Sequence, residues 1–234
     1  MPTTRRPLLS SVRTCLLAGL LGTVLAGPGT AAQRTWWVEP SQPESGRLVN
    51  GSFDTDVSGW VVTDPVHVPM SWDATDATGN PSSGSALLVT SALPTNNGGV
   101  FQCIWPVVPG AAYTLHGRIR VASGQPALGG AAGIFLRAWS SSSCTGPAVG
   151  GSAATDYIGT DADPSNLDVW VPVTTTLTMP EGAQSLWVYL NVQRGSSPTG
   201  FAARFDAITL DLPLHADGFE RGDLLAWDGE QSAL

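Results

Sequence analysis

Aromatic and polar side chains alternate with aliphatic ones in two segments of the sequence. In residues 185–193 aliphatic residues hold every second position, and between them stand Trp187, Tyr189, Asn191 and Gln193. In residues 133–140 the same alternation separates Phe135, Arg137 and Trp139 from aliphatic neighbours. Aromatic rings stack on the apolar C–H faces of sugars, while amide and guanidinium groups pair with hydroxyls. These residue types therefore indicate a carbohydrate-binding surface.

A period of two is typical of a half-buried β-strand, in which successive side chains point to opposite faces. The aliphatic positions are therefore predicted to be core, and the positions between them to face outward. Residues 113–121 follow the same rule and turn Arg118 outward. The predicted ligand-binding set is Trp187, Tyr189, Trp139, Arg137, Asn191, Gln193 and Arg118. The alternative is that a loop or a second protein covers the rings, because an uncovered aromatic patch is unusual in a monomer.

The elements that must position these residues are short strands. Nine apolar segments rich in Val, Thr, Ile and aromatics are separated by Gly, Pro, Asn and Ser: 48–53, 59–63, 85–91, 100–107, 112–122, 132–140, 169–179, 185–194 and 201–212. Since no helical period of useful length accompanies them, we predict an all-β fold, an antiparallel β-sandwich of jelly-roll type. Residues 141–164 are small and acidic, and are expected to form a surface loop.

Residues that would support hydrolysis are sparse. Hydrolysis of a glycoside needs two carboxylates across a cleft, whereas the glutamates fall in linkers, a turn or the tail, and Asp206 is the carboxylate we single out on a core strand. No Gly-x-Ser-x-Gly sequence occurs, although a dispersed Ser-His-Asp triad stays open. The three histidines lack the spacing of zinc ligands. We therefore predict a protein that is not an enzyme.

Charge excludes another class of partner. The 234-residue chain has 11 Lys+Arg, all of them Arg, against 19 Asp+Glu, and its net charge is −8. Binding to nucleic acid relies on clustered basic residues, so no nucleic-acid partner is expected.

The N-terminus is predicted to be a secretory signal, residues 1–32. Three arginines precede the apolar run 15–26, and small residues follow it. A membrane anchor, the alternative, needs about 20 apolar residues, so no membrane span is expected after cleavage. The protein is expected to be secreted, periplasmic or at the cell surface. Cys15 leaves with the signal, and an exported chain with two remaining cysteines predicts a disulfide between Cys103 and Cys144.

Three motifs resemble one family. Leu48-Val-Asn-Gly-Ser-Phe-Asp54 followed by Ser58-Gly-Trp60, then Val107-Val-Pro-Gly-Ala-Ala-Tyr-Thr-Leu115, and finally Phe205-Asp-Ala-Ile-Thr-Leu210 resemble, in order, segments of secreted carbohydrate-binding modules with the galactose-binding-like jelly-roll fold. The resemblance implies a structural calcium ion where the first and last strands approach, with Asp54 and Asp206 as ligands and main-chain carbonyls near Asn50. The alternative is that both carboxylates cap turns or accept backbone N–H groups.

The C-terminal segment Ala216-Asp-Gly-Phe-Glu-Arg-Gly-Asp-Leu-Leu-Ala-Trp227 resembles a short motif at the ends of exported proteins of Gram-negative bacteria. The expected organisation is therefore a signal (1–32), a linker (33–47), the sandwich domain (48–212) and an acidic tail (213–234). The expected function is that of a secreted, non-catalytic carbohydrate-binding module whose partner is a poly- or oligosaccharide. Two alternatives stay open: a structural or adhesive surface protein that uses the sandwich as a scaffold, and a polysaccharide-degrading enzyme.

Overall fold

A computed structural model describes residues 47–91, 97–125, 129–161, 164–195 and 200–211. The predicted signal, nearly all of the predicted linker and the predicted tail lie outside these residues. Within the described ranges, no helix is long and apolar enough to cross a membrane.

Eleven strands make up this described part of the chain. In chain order they are β1 (Val61–Val62), β2 (Met70–Asp73), β3 (Ser85–Thr90), β4 (Asn97–Ile104), β5 (Ala112–Arg120), β6 (Ala131–Trp139), β7 (Ala148–Ala154), β8 (Ile158–Gly159), β9 (Val171–Thr178), β10 (Ser185–Gln193) and β11 (Phe201–Asp211). A single 3₁₀ turn, Pro164–Asn166, lies between β8 and β9.

The strands form two antiparallel sheets, which confirms the predicted β-sandwich. The first, called the front sheet here, has the order β1-β4-β10-β6-β7, with β8 pairing to the other end of β6. The second, the back sheet, has the order β2-β3-β11-β5-β9. Strands β6 and β10, which contain the two ring-bearing segments, are neighbours at the centre of the front sheet.

The core lies between the two sheets and is built from the aliphatic faces predicted by alternation. Leu186, Val188 and Leu190 are fully buried in β10, as is Ile134 in β6. A β-carbon at Gly117 would lie 2.8 Å from the side chains of Ile134 in the front sheet and Ile208 in the back sheet. Burying one such aliphatic side chain stabilises the fold by about 1.5–3 kcal/mol. Folding therefore strongly favours the strand orientation in which the aliphatic face points inward.

The structure differs from the sequence prediction in four short regions. Residues 48–53 do not form a strand, because Asn50 and Phe53 adopt positive φ angles of 48° and 47° that interrupt an extended backbone. The short edge strand β2 was not predicted. The predicted loop 141–164 contains β7 and β8, which pair with β6. Strand β7 consists of Ala, Val, Gly and Ser, so it has no apolar alternation from which to recognise it.

The predicted disulfide between Cys103 and Cys144 is confirmed, with the two Cα atoms 5.7 Å apart. It ties β4 to the connection between β6 and β7. Ser185 strengthens this junction, because its hydroxyl donates to the Ser141 carbonyl at 2.6 Å and accepts the Cys144 N–H at 3.2 Å. The connection is therefore held against the end of β10 at two adjacent points.

Removing the disulfide should destabilise the domain. The bridge closes a loop with a sequence separation of 41 residues, so the Cys103→Ala/Cys144→Ala double variant should lose about 2–5 kcal/mol of unfolding free energy. Urea denaturation measures this loss. Alkylation of the unreduced, unfolded wild-type protein supplies the control: mass spectrometry should find neither cysteine modified, and two modified cysteines would contradict the bridge.

Candidate functional site

The outward positions of β4, β10 and β6 form one continuous surface. Strand register sets Trp187 between Cys103 and Arg137, and Tyr189 between Phe101 and Phe135. Since Leu186, Val188 and Leu190 point into the core, the residues between them must point away from it. We call the outward rings the aromatic surface, which consists of Phe101, Phe135, Trp139, Tyr157, Trp187 and Tyr189.

The rings of the aromatic surface contact each other in an unbroken path. Trp187 stacks on Tyr189, with centroids 4.9 Å apart and planes 26° apart, and meets Trp139 edge-on at 5.5 Å. From Tyr189 the path continues through Phe135 at 6.4 Å to Tyr157 at a further 5.7 Å. Aromatic pairs in such geometries add roughly 0.5–1.5 kcal/mol each beyond the area they bury. The rings are therefore oriented by one another before any ligand arrives.

Phe101 supports this path from β4. Its ring centroid lies 4.8 Å from that of Trp187, and the side chain is buried. Trp187, Tyr189, Trp139 and Phe135 are half-buried, whereas Tyr157 is 38% exposed. The aromatic surface thus faces outward, and its rings cover part of one another.

Tyr157 belongs to this surface although the sequence did not predict it. It follows β7, and its ring lies over Gly133, where a β-carbon would approach the ring to 3.2 Å. Gln193 donates a hydrogen bond of 2.7 Å to the Tyr157 hydroxyl. The glycine between two apolar residues of β6 was the available signal, because a missing side chain in a strand interior often marks a close approach.

The two amides predicted to face the ligand belong to the same surface. Asn191 is 5% exposed and donates from Nδ2 to the Gly98 carbonyl at 3.1 Å. Its Oδ1 accepts a bond from Gln193 at 3.3 Å. Asn191 thus orients Gln193, and Gln193 orients Tyr157.

Two indole N–H groups in this surface have no acceptor among the described residues. The Nε1 atoms of Trp139 and Trp187 are both buried and both without a hydrogen bond there. A buried donor without an acceptor costs roughly 1–3 kcal/mol. An oxygen supplied from outside the described residues would recover that cost.

Arg137 and Arg118 lie on different sheets, which corrects the predicted site. Arg137 is exposed, and its guanidinium carbon lies 5.2 Å from the centre of the Trp139 ring. Arg118 faces outward from β5 of the back sheet and donates to the Ala77 carbonyl at 3.0 Å. Alternation gives the outward direction of both residues, but it cannot assign them to a sheet. Arg118 therefore does not join the aromatic surface.

The back sheet has a cavity of about 420 Å³ lined by His116, Gly117, Arg118, Pro172, Val173, Thr174 and Ala207. His116 Nε2 lies 3.1 Å from Asp211 Oδ2, and both side chains are largely exposed. The hydroxyl in this lining, that of Thr174, donates to the Leu115 carbonyl at 2.9 Å. The described lining therefore contributes the imidazole of His116 but not its partner Asp211, and its hydroxyl is bonded to the main chain.

The two expected calcium ligands both accept hydrogen bonds. Asp54 Oδ1 accepts the Ser83 hydroxyl at 2.8 Å. Asp206, which is 2% exposed, accepts the Ala77 N–H at 2.7 Å and the Ala207 N–H at 2.6 Å. In the described part of the chain, no group of three or more His, Cys, Asp or Glu side chains is arranged to hold a metal ion. Both carboxylates are thus engaged by groups of the protein, and a calcium ion at them stays a prediction.

The surroundings of Asp206 raise the pKa of its carboxyl group. Burial raises its pKa to about 6, against the lowering by the N–H groups of Ala77 and Ala207, and the neighbouring carboxylate of Asp76 adds to the rise. Burial also pushes the pKa of Asp76 upward, but hydrogen bonds donated by Thr78 and Asn80 hold it to about 2. In mildly acid solution Asp76 is therefore charged while Asp206 holds its proton.

No protein-family model and no curated protein matches the sequence. Solved structures do resemble the fold. A GH51 α-L-arabinofuranosidase bound to arabinose matches at a TM-score of 0.52 and 13% identity over 71% of this chain and 26% of that one. The xylanase 10B CBM22-1–GH10 modules from Clostridium thermocellum, complexed with xylohexaose, match at 0.50 and 12% over 73% and 29%. The chain thus spans less than a third of either enzyme.

Isolated carbohydrate-binding modules of families 22 and 16 also resemble the chain. A xylan-binding domain from family 22 matches at a TM-score of 0.49 and 17% identity over 73% of this chain and 97% of that domain. At such identities the likenesses concern the fold alone, which is that of a β-sandwich.

The Asp76–Asp206 pair makes stability depend on pH. Because the folded pKa of Asp206 lies above its ordinary value of 3.8, its stabilising contribution is present at acid pH and is lost as pH rises through about 6. Asp76→Asn removes the adjacent negative charge, so the pKa of Asp206 should fall part of the way back. The free energy of unfolding should then change less between about pH 5 and about pH 7, as measured by urea denaturation.

Asp56→Asn is the matched control for this substitution. Asp56 is an exposed loop carboxylate that also accepts local hydrogen bonds, from Ser58 and Asn50, and it lacks a carboxylate partner among the described residues. It should leave the pH dependence near 6 intact. Equal flattening in both variants would contradict the assignment to Asp76 and Asp206.

Proposed function

We propose that this protein binds polysaccharide through the aromatic surface of the front sheet and acts as a non-catalytic module. The observation that carries the proposal is the continuous path of outward rings from Trp139 through Trp187, Tyr189 and Phe135 to Tyr157. Ligand sites combine apolar walls with a few convergent polar groups. Here Gln193 and Arg137 supply the polar groups, and the buried Asn191 orients Gln193.

The extent of the rings favours a polymer over a single sugar. Trp139, Trp187 and Phe101 stand on three adjacent strands, so they span about 10 Å across the sheet at a strand spacing of about 4.8 Å. Phe101, Tyr189 and Phe135 form one cross-strand row, and Trp187 and Trp139 form a second row further along the strands. A ligand with several sugar units can use both rows, whereas a monosaccharide covers one ring.

Preorganisation supports the same proposal. Each ring is held by at least one other ring, and Tyr157 is also held by Gln193. Ordering a free side chain on binding costs about 0.5–1.5 kcal/mol, so rings that are already ordered retain that free energy for affinity.

A binding role is favoured over hydrolysis by the chemistry of the front sheet. Hydrolysis of a glycoside uses two carboxylates flanking the bond, and the described strands of this sheet carry no Asp or Glu. The disulfide and the signal predicted from the sequence support a secreted, periplasmic or cell-surface location. A scaffold or adhesive protein remains the alternative function, and it requires no binding of polysaccharide.

Trp187→Ala and Trp139→Ala should each weaken polysaccharide binding at least about tenfold, which corresponds to about 1.4 kcal/mol, because each removes one wall of the ring path. Affinity electrophoresis against a panel of soluble cell-wall and storage polysaccharides measures the change. Melting curves identify variants that fail to fold. Tyr157→Phe is a second, milder variant that keeps the ring and deletes only the hydroxyl bonded to Gln193.

Trp72→Ala is the matched control, since Trp72 is an exposed tryptophan on β2 of the back sheet. It should bind like the wild type. Polysaccharide binding that survives both Trp187→Ala and Trp139→Ala would remove the aromatic surface as the site. If no polysaccharide binds the wild type, the scaffold alternative gains support.

Structural calcium is a separate proposal, supported by the resemblance of the opening and closing motifs rather than by a set of ligands. Calcium bound to the folded state would raise its stability by mass action. Chelation should then lower the Tm of the protein, and re-addition of calcium should restore it. A Tm that does not change on chelation would exclude a stabilising ion at Asp54 and Asp206.

A further inference from the structure

The described strands of the front sheet carry a single charged side chain. Its six described strands, β1, β4, β6, β7, β8 and β10, contain one ionisable residue apart from tyrosine and cysteine, and that residue is Arg137. The back sheet is different, since its strands carry aspartates, arginines and a histidine. Arg137 is therefore the one charged side chain on the described strands that carry the aromatic surface.

Arg137 is placed for contact with a ligand. It stands on β6 directly opposite Trp187 on β10 and opposite Ser152 on β7. Its guanidinium carbon lies 5.2 Å from the centre of the Trp139 ring, and the side chain is exposed. Among the described residues no carboxylate pairs with it. By contrast, Arg204 in the back sheet pairs with Asp73 at 2.8 Å.

We propose that the aromatic surface selects a polysaccharide containing uronic acid units, with Arg137 binding the sugar carboxylate. This inference rests on the proposed function and names the class of ligand for the same surface. Uronic acid units give a polymer carboxylate charges that its carboxyl-reduced form lacks, so the contribution of the carboxylate can be separated by experiment.

Trp187 and Arg137 are close enough to contact the same sugar unit. Trp187 and Arg137 are direct cross-strand neighbours, and such pairs have Cβ atoms about 4.5–5.5 Å apart. A pyranose ring stacked on Trp187 can therefore carry its carboxylate beside the guanidinium. The planar guanidinium presents several N–H donors that match the two oxygens of a carboxylate. Contact with Trp139 restricts the Arg137 side chain, which reduces the entropy lost on binding.

Because the chain as a whole is negatively charged, selectivity for a polyanion must come from a contact at the binding surface. The net charge of −8 repels a polyanion at long range, so a general electrostatic attraction does not explain binding to one. An affinity for uronic acid polymers would depend on the guanidinium within contact distance of the sugar. Because the contact lies at the surface, added salt should weaken it, whereas stacking on the rings should change little.

The test compares ligands that differ only in the carboxylate. Polygalacturonate, alginate and glucuronic acid-substituted xylan are each paired with the carboxyl-reduced form of the same polymer, and dextran sulfate and dextran measure attraction by charge alone. The wild type should bind at least one acidic polymer about tenfold more tightly than its reduced form. Arg137→Gln should reduce that ratio to about one.

Arg118→Gln is the matched control, since it removes an outward arginine from the back sheet, and it should keep the wild-type ratio. Arg137→Lys keeps the charge but loses the planar donor pair, so it should keep only part of the ratio. Melting curves report whether each variant folds.

The outcomes separate the two proposals. Equal binding to acidic and reduced polymers, with loss of both in Trp187→Ala, overturns the uronic acid inference and leaves polysaccharide binding intact. The uronic acid inference is also overturned if Arg137→Gln keeps two wild-type preferences: that for dextran sulfate over dextran, and that for the acidic polymers over their reduced forms. Absence of binding to every polymer would overturn both proposals.

Discussion

The alternation of side chains in the two central strands, β6 and β10, determines which groups lie on the outer face of the front sheet. Leu186, Val188 and Leu190 must be buried for the sandwich to have a core, and each exposed aliphatic side chain would cost about 1.5–3 kcal/mol. A shift of one residue in register would bury Trp187 and Tyr189 and expose the aliphatic row, because side chains in a strand alternate between faces. The same free energy that builds the core therefore holds the aromatic rings at the outer surface. The outward direction of these rings is a consequence of folding, and it needs no separate stabilising interaction.

Two contacts then shape this surface at its ends. At one end the Cys103–Cys144 bridge and the Ser185 hydroxyl hold the connection that follows β6 close to Trp139 and Trp187. At the other end, Gly133 leaves room for the Tyr157 ring, and Gln193 fixes its hydroxyl. Neither contact belongs to the hydrophobic core between the sheets. Such rim positions are where a β-sandwich can change its ligand while it keeps its fold.

Most strands could be predicted from the sequence because their alternation is strong, as in residues 185–193. The prediction failed where no alternation exists: β7 is built from small residues, and residues 48–53 turn through positive φ angles at Asn50 and Phe53. The site could be predicted in part for the same reason. Alternation identified Trp139, Arg137, Trp187 and Tyr189 as outward, but strand pairing decides which outward residues are neighbours. It separated Arg118 from them and brought in Tyr157, whose segment has no periodic pattern.

Arg137 and Arg118 illustrate what local sequence leaves open. Each precedes an apolar residue in a strand and points outward, yet their contacts differ. Arg118 donates to the Ala77 carbonyl, in a loop whose next contact is Asp206, so its charge helps hold a loop over a buried carboxyl. Arg137 has an aromatic ring beneath it and no carboxylate partner among the described residues. A cation that is stacked but not neutralised keeps its hydrogen-bonding capacity for an anion that arrives from solution. This difference in pairing, and not the residue type, is the reason that the proposed ligand role falls to Arg137 and not to Arg118.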